Sequence, residues 1–373
     1  MQVDYRLRAE DTVDSPALLV YPDLVQRNIA CMVRWAGGPQ RLCPHVKTHK
    51  TRQIVDMLLG AGVQRHKCAT LAEAELLALA GAPQVLIAYP LVGPKLQRLA
   101  ELIRRYPATR FATLVDHPGS LAALAEVMRQ GGVTVGVLVD LNVGQHRTGV
   151  APGPAAAALY RQAATLPGVR PEGFHVYDGH NNAVDPQHRH ATAQQFWQQV
   201  LALRQQLEHM GLAVPRLVVG GTPSFPVHCR WQDIPGLECS PGTFVLYDAG
   251  YGSKYADLAE LTPAAVLLTR VVSRPQPDRV TFDLGTKAVA ADPPMDRRVR
   301  FCHLDNYTVV AHNEEHLVIQ TDQADQFQPG DTAYALPGHV CPTVALYREL
   351  LVVRNGCVVD RWEVVARDRR LTI

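Results

Sequence analysis

From about residue 40 to residue 248, short apolar runs alternate with amphipathic stretches of helical period. The runs are "RLCPHVKT", "VQRHKCAT", "QVLIAYPL", "RFATLVD", "VTVGVLVDL", "VRPEGFHVYDG", "RLVVGGT" and "LECSPGTFVLYD". Between them lie helical candidates such as "TRQIVDMLLGAGV", "LAEAELLALAGA" and "HRHATAQQFWQQVLALRQQLEHMG", the last closed by Gly211 as a stop signal. Strand and helix alternating in this way predict parallel βα units, and eight of them predict an α/β fold of the (β/α)8 TIM-barrel type. Beyond about residue 260 the texture changes to β-rich runs without long helical patterns, including "AAVLLTRVVSR", "RVTFDLGT", "YTVVAHNEEHLVIQ", "DTAYALPGHV" and "ELLVVRNGCVVDRWEVVAR". The division predicted is a barrel over residues 15–260 and an all-β C-terminal domain over 261–373, with residues 1–14 available to add a strand to that domain.

Composition narrows the partners. Lys plus Arg number 37 against 35 Asp plus Glu, so the net charge of +2 offers no electrostatic reason to expect nucleic acid or an anionic membrane. A small-molecule partner fits better. No run of about 18 apolar residues is present to span a bilayer, and "MQVDYRLRAEDTVDSP" lacks an apolar signal core, which places the expected location in the cytoplasm. The eight cysteines are scattered without a Cys-x-x-Cys pair, and most of them are expected to fill apolar space.

The polar residues gather at the ends of the predicted strands, where a barrel builds its site. In "CPHVKTHK", Cys43 to Lys50, an extended backbone would turn His45, Lys47 and His49 to one face. Crowded cations lower a lysine's pKa, as attack on a carbonyl requires; the alternative is a solvated basic edge. The seventh strand ends in "VVGGTPS" and the eighth begins "ECSPGTF"; barrels often bind phosphate in the loops after these strands, which nominates Gly221, Thr222, Gly242 and Thr243, the alternative being ordinary turns. In "VDLNVGQHRTGV", Arg147 either holds a cofactor group or pairs with Asp140 or Asp116. "FHVYDGHNN" offers Tyr177 for a ring and His180, which is either an acid/base or structural. In "LPGHVCPT", His339 and Cys341 would share one face of an extended segment and one metal ion, zinc being favoured by a thiolate; the alternative is a buried cysteine beside a hydrogen-bonded histidine.

Taken in order, "PHVKTHK", "VGQHRTGV", "GGTPS", "PGTFVLYDAGY", "EEH" and "GHVCPT" resemble the D-threonine aldolase and eukaryotic-type D-serine dehydratase family, pyridoxal-phosphate enzymes with an alanine-racemase-like barrel. The resemblance implies Lys47 as the Schiff-base lysine, a phosphate cup at Gly221, Thr222, Gly242 and Thr243, Arg147 and Tyr177 near the cofactor, and a catalytic divalent metal (zinc, or manganese) at His339 and Cys341. It also implies a homodimer. The implied activity is a metal-assisted lyase acting on a D-β-hydroxy amino acid: an aldolase with His180 or metal-bound hydroxide as base, or a dehydratase in which Lys47 removes the α-proton and the metal polarises the departing hydroxyl. Racemisation and a non-catalytic pyridoxal-phosphate carrier are the remaining alternatives. Two departures bear on substrate choice: Asn313 and Leu317 flank "EEH" where the family often has Ser and Gly, and Ala345 stands where it often has Asn. A Cys two residues beyond the metal His is closer to the dehydratases, whereas aldolases often carry Asp there.

Overall fold

The structure is a computed structural model and describes residues 3–373. Contacts within the chain gather into two units. One holds the chain up to Cys31, Thr48–Ile54 and Thr243–Asp368; the other holds Met32–Lys47, Val55–Gly242 and Arg369–Ile373. In chain order, β1 is Ala17–Val20, and it belongs to the first of these, the β-unit. The strands of the second, the barrel unit, are β2 (Arg65–Cys68), β3 (Gln84–Pro90), β4 (Arg110–Val115), β5 (Val135–Asp140), β6 (Val169–Val176), β7 (Arg216–Val219) and β8 (Leu237–Cys239).

These seven run parallel and pair in sequence order. The stretch "RLCPHVKT", expected as the first strand, supplies only isolated bridges, Leu42 to Cys239 and His45 to Lys67. Cys43 N–H donates to Cys239 O and Lys67 N–H to Pro44 O, both at 2.8 Å, so the segment still joins β8 to β2. It cannot extend further as a strand: Pro44 has no N–H to donate, and the chain bends into a 3-10 turn at Val46–Thr48. The eighth run is likewise shorter than its apolar length suggests, because Pro241 and Gly242 end the strand after Cys239 and a second 3-10 turn occupies Thr243–Val245.

The helices in chain order are α1 (Pro22–Ala36), α2 (Arg52–Gly60), α3 (Leu71–Leu79), α4 (Lys95–Arg105), α5 (Pro118–Gln130), α6 (Pro154–Thr165), α7 (Pro186–His209) and the short α8 (Phe225–His228), with α3 to α8 lying between barrel strands. Local chemistry sets their starts. Thr70 Oγ1 accepts the Glu73 N–H at 3.1 Å while the Glu73 carboxylate accepts the Ala69 N–H at 2.6 Å, a reciprocal cap on α3. Proline opens α5, α6 and α7, where its missing N–H has no partner to lose. Inside the barrel, Cys43, Leu86, Ala112, Leu114, Leu138 and Val218 form a buried apolar cluster. The strand starts carry ions instead: the Glu172 carboxylate, with 3% of its side chain exposed, takes Arg110, Arg170 and Arg216, and Glu238 takes Arg216 and Arg65. This network holds the barrel end opposite the strand ends where barrels do chemistry.

The β-unit continues with β9 (Ala265–Gln276), β10 (Arg279–Phe282), β11 (Val299–Phe301), β12 (Thr308–His312), β13 (Leu317–Gln320), β14 (Thr332–Pro337), β15 (Glu349–Arg354) and β16 (Cys357–Glu363). Its sheet runs β12-β13-β10-β9-β1-β15-β16, with β14 also on β9 and β11 on β14. Residues 3–14 form no strand, and residues 1–2 lie outside the described part; the N-terminal segment enters the sheet through β1, antiparallel to β9 and parallel to β15. Leu18, Leu19 and Val20 are at most 1% exposed there, and burying each stabilises by roughly 1.5–3 kcal/mol. Among the described residues no helix is long and apolar enough to cross a membrane.

Candidate active site

The barrel unit brings Lys47, Lys67, Asp140, Arg147, His175 and Tyr177 to the strand ends. Lys47 sits on the 3-10 turn with its side chain exposed. Its neighbours do not share its face: His45 and His49 are buried, 8% and 1% exposed. His45 Nδ1 accepts the Lys47 N–H at 3.2 Å, and His49 Nδ1 accepts the Thr51 N–H at 3.3 Å. A ring nitrogen that accepts a backbone N–H carries a lone pair, so both histidines are neutral turn-formers rather than members of a cation cluster. The lysine with a depressed pKa is Lys67, which burial pushes down to about 8.

Tyr177, just past β6, is the hub of the mouth. The Arg147 guanidinium carbon lies 5.0 Å from its ring centroid, Lys67 Nζ 5.7 Å, and the His175 ring is near-parallel to it at 6.4 Å. Arg147 makes no ion pair with Asp140 or Asp116 among the described residues. Asp116 accepts the Gly149 N–H at 2.9 Å, and Asp140 accepts from Thr148 Oγ1 and His175 Nδ1, both at 2.7 Å. Burial raises the Asp140 pKa but is outweighed by His175 and Thr148, so the net shift is down; burial also lowers that of His175, against the pull of Asp140. The pair is therefore carboxylate and neutral imidazole, with Nδ1–H donating and Nε2 buried without a partner. His180 packs against the loop after β5, where a Cβ on Gly144 would come within 2.6 Å of its Nε2, and its Nδ1 is also buried without a partner. Gly179 is required beneath Tyr177: a Cβ there would meet the ring at 2.5 Å.

Gly221 and Thr222 follow β7 and are braced from below. Ser224 Oγ accepts the Gly221 N–H at 3.3 Å and donates to Asp178 Oδ1 at 2.7 Å. His228 Nε2–H donates to Asp178 Oδ2 at 2.9 Å, its Nδ1 accepting from Trp197 Nε1–H. Both Ser and His donate to the carboxylate, so this is a bracing network and not a nucleophile–base relay. Gly242 N–H donates to Thr222 Oγ1 at 3.3 Å.

Thr243, expected in the same cup, lies in the β-unit with its hydroxyl 3.4 Å from Cys341 Sγ; Thr48 Oγ1 is 3.2 Å from the same sulfur. His339 and Cys341 are not on an extended segment. His339 caps α10 (Val340–Leu346), and Cys341 is in its first turn. Gly338 allows this approach, since a Cβ there would lie 1.9 Å from Arg297 O. Asp248, 2% exposed, accepts the N–H groups of Tyr251 and Val340 and ties α10 to α9 (Ala249–Lys254). His339 Nδ1 donates to Asp292 Oδ2 at 2.6 Å. Burial lowers the His339 pKa, but the Cys341 sulfur and Asp292 outweigh it and carry it up to about 9; burial raises that of Cys341, and His339 outweighs it downward. The directions describe a thiolate–imidazolium pair. No group of three His, Cys, Asp or Glu side chains among the described residues is arranged to hold an ion. The donor chemistry nevertheless fits a divalent metal in place of the shared proton, with Asp292 behind the imidazole as the orienting carboxylate.

Pyridoxal phosphate fits the barrel mouth on similar grounds: an exposed lysine, a buried unpaired His175 Nε2, and a glycine turn held open against Tyr177. Sequence patterns did not single out Lys67, Asp178, Thr48 or Asp292. Only Lys67, in the basic strand Arg65–Cys68, lies near a strand end in the sequence pattern; the others acquire meaning from partners far along the chain.

Comparison with known proteins agrees with this picture. The family description "Alanine racemase, N-terminal domain" matches residues 20–244, and "Putative serine dehydratase domain" matches 264–353. D-threonine aldolase of an Arthrobacter species is 32% identical over 365 residues, 95% of this chain and 93% of its own. D-threo-3-hydroxyaspartate dehydratase of a Delftia species is 26% identical over 374 residues, 94% and 97% of the two chains. The crystal structure of D-threonine aldolase from Filomicrobium marinum superposes with a TM-score of 0.87 at 30% identity, covering 99% of each chain. An alanine-racemase-type barrel followed by a dehydratase-type β-domain, with likeness to D-threonine aldolase along the whole length, makes this chain a member of the D-threonine aldolase branch of the alanine racemase N-terminal domain family.

Proposed function

We propose that the chain is a pyridoxal-phosphate-dependent, metal-assisted lyase that cleaves D-β-hydroxy amino acids between Cα and Cβ, as a D-threonine aldolase does. The observation that carries this reading is the His339–Cys341 pair backed by Asp292, in a chain similar throughout to D-threonine aldolase. Racemisation needs acid/base groups at Cα and no Lewis acid; cleavage or dehydration of a β-hydroxy compound needs one at the β-oxygen.

When bound, pyridoxal phosphate supplies an electrophilic carbon for amines and an electron sink for charge at Cα. Lys47 is the amine that would hold the cofactor there. The glycine turns at Gly221–Thr222 and Gly242 would hold the phosphate, its oxygens replacing Ser224 Oγ and Thr222 Oγ1 as acceptors of the Gly221 and Gly242 N–H groups, whereas Thr243 belongs to the other unit, beside Cys341. Arg147 and Tyr177 flank the ring, and Gly179 lets Tyr177 lie where it does. His339 and Cys341 hold the divalent ion, zinc in preference to manganese because of the thiolate, and its Lewis acidity serves the β-oxygen. His180 takes the β-hydroxyl proton on Nδ1, which has no other partner.

A specific feature favours dehydration as the second reading: Cys341 stands where aldolases often carry Asp. In that reaction Lys47 would take the α-proton, and the ion that His339 and Cys341 would hold would supply Lewis acidity to the leaving hydroxyl. The two are separated by incubating the protein, pyridoxal phosphate and zinc or manganese with D-threonine and with D-serine. Glycine plus acetaldehyde from D-threonine supports the aldolase. Ammonia plus 2-oxobutyrate or pyruvate replaces it with the dehydratase, and L-enantiomer formation alone would sink both lyase readings.

A further inference from the structure

Lys67 is the third residue of β2, and its side chain is buried in the barrel unit at 3% exposure. Along the strand it alternates with His66, whose Nε2 is 3.1 Å from Val63 O. Lys67 Nζ has no carboxylate in ion-pair contact among the described residues. The two acids whose charges it feels are committed elsewhere: Asp140 to His175 and Thr148, Asp178 to Ser224, Asn181 and His228. Lys47 adds a like charge, and the remaining contact is the face of Tyr177, which Arg147 also covers.

A buried ammonium with only an aromatic face to balance it is costly, and such charges are normally paired. The fold nevertheless places this one at the mouth, with its amine deprotonating near pH 8, so that most of it is charged at neutrality. A lysine used only for its aliphatic stem would carry its head to water, as long cationic side chains do elsewhere. Here the head is kept inside, next to the ring that walls the mouth.

We propose that Lys67 is a second cofactor-directed lysine, whose ammonium pairs with an anionic oxygen of bound pyridoxal phosphate beside Tyr177. This rests on the cofactor reading above and extends it to a residue without a covalent role. The anionic oxygen belongs either to the phosphate or to the ring hydroxyl, and binding separates the two sources.

The test uses the full chain, freed of cofactor, as wild type, Lys67→Met and Lys67→Arg, titrated by absorbance with pyridoxal phosphate and with unphosphorylated pyridoxal. Loss of a charge-assisted bond predicts pyridoxal phosphate binding about 10- to 100-fold weaker in Lys67→Met, with Lys67→Arg recovering most of it. Weakening towards both compounds assigns the ring oxygen, and weakening towards pyridoxal phosphate alone assigns the phosphate. Because the unpaired charge is removed, cofactor-free Lys67→Met should melt no lower than wild type at pH 7. Unchanged affinity in Lys67→Met overturns the proposal. So does weakening accompanied by a lowered melting temperature, which would mark a structural residue. Borohydride reduction of the wild-type complex separates the underlying reading: an adduct on Lys47 upholds it, whereas an adduct on Lys67 or no adduct removes it and the inference with it.

Discussion

His175 donates its Nδ1–H to Asp140 across 2.7 Å and keeps Nε2 buried without a partner. A carboxylate behind an imidazole fixes the tautomer and leaves one lone pair for a ligand. Asp140→Asn removes the charge that selects this tautomer. It should cost about 1.5–3 kcal/mol and weaken cofactor binding, both readable by urea denaturation with and without pyridoxal phosphate. Equal losses in the two conditions would assign the pair to stability alone.

Lys47→Ala should abolish turnover with little change in melting temperature, because the side chain is exposed and contributes little packing. Borohydride followed by peptide mapping should find the cofactor on Lys47 in the wild type and none in the variant.

His339→Ala and Cys341→Ala should each lose the bound ion and nearly all lyase activity while keeping the cofactor's absorbance, since Lys47 and the glycine turns belong to the other unit. Chelation should do the same, and elemental analysis gives the metal count. Cleavage that survives chelation would return His339 and Cys341 to a structural pair.

Asp178→Ala should be among the most damaging single changes outside the chemistry. Asp178 and His228 have no exposed side-chain surface, and removing the carboxylate leaves the buried donors of Ser224, Asn181 and His228 unmet, at about 1–3 kcal/mol each. Urea unfolding measures the loss, and a variant as stable as wild type would show that the loop after β7 is held by other means.

Acid should unfold the protein through identifiable carboxylates. At Asp140, Glu172 and Asp178 burial raises the pKa, but hydrogen bonds and cations outweigh it: His175 and Thr148; Arg170, Arg216 and Arg110; His228, Ser224 and Asn181. A folded pKa below the unfolded value gives stability that is present above the unfolded carboxylate range, about 4, and is lost as pH falls through the folded values. The urea midpoint should therefore drop below about pH 4, and less steeply in Glu172→Gln. Lys67 acts at the other end. Burial, helped by the like charge of Lys47 and opposed by Cys43, Asp140 and Asp178, lowers its folded pKa to about 8, so its neutral form is favoured by folding. The cofactor-free protein should gain stability from pH 7 towards 10, a gain that Lys67→Met lacks.

Much of the architecture is written in local pattern. Six of the runs read as strands became β2 to β7, and "HRHATAQQFWQQVLALRQQLEHMG" became α7, because strands buried on both faces read as short continuous runs and a helix as a longer periodic stretch. The nomination of Lys47 and of the His339–Cys341 pair also came from short motifs. Their surroundings did not. Pro44 and a histidine ring turned an expected strand into bridges and a 3-10 turn, and a strand-to-helix junction, not an extended segment, carries His339 and Cys341. Asp292 joins His339 across 47 residues, Thr48 meets Cys341 across 293, and Asp178 meets His228 across 50. Such partners are invisible to periodicity because hydrogen bonds and buried charges depend on distance in space. The sequence by itself determined where strands and helices form and which residue types stand at their ends; tertiary structure alone decided which polar atoms are paired, leaving His175 Nε2 buried without a partner and Lys67 Nζ against the Tyr177 ring with no carboxylate in ion-pair contact among the described residues.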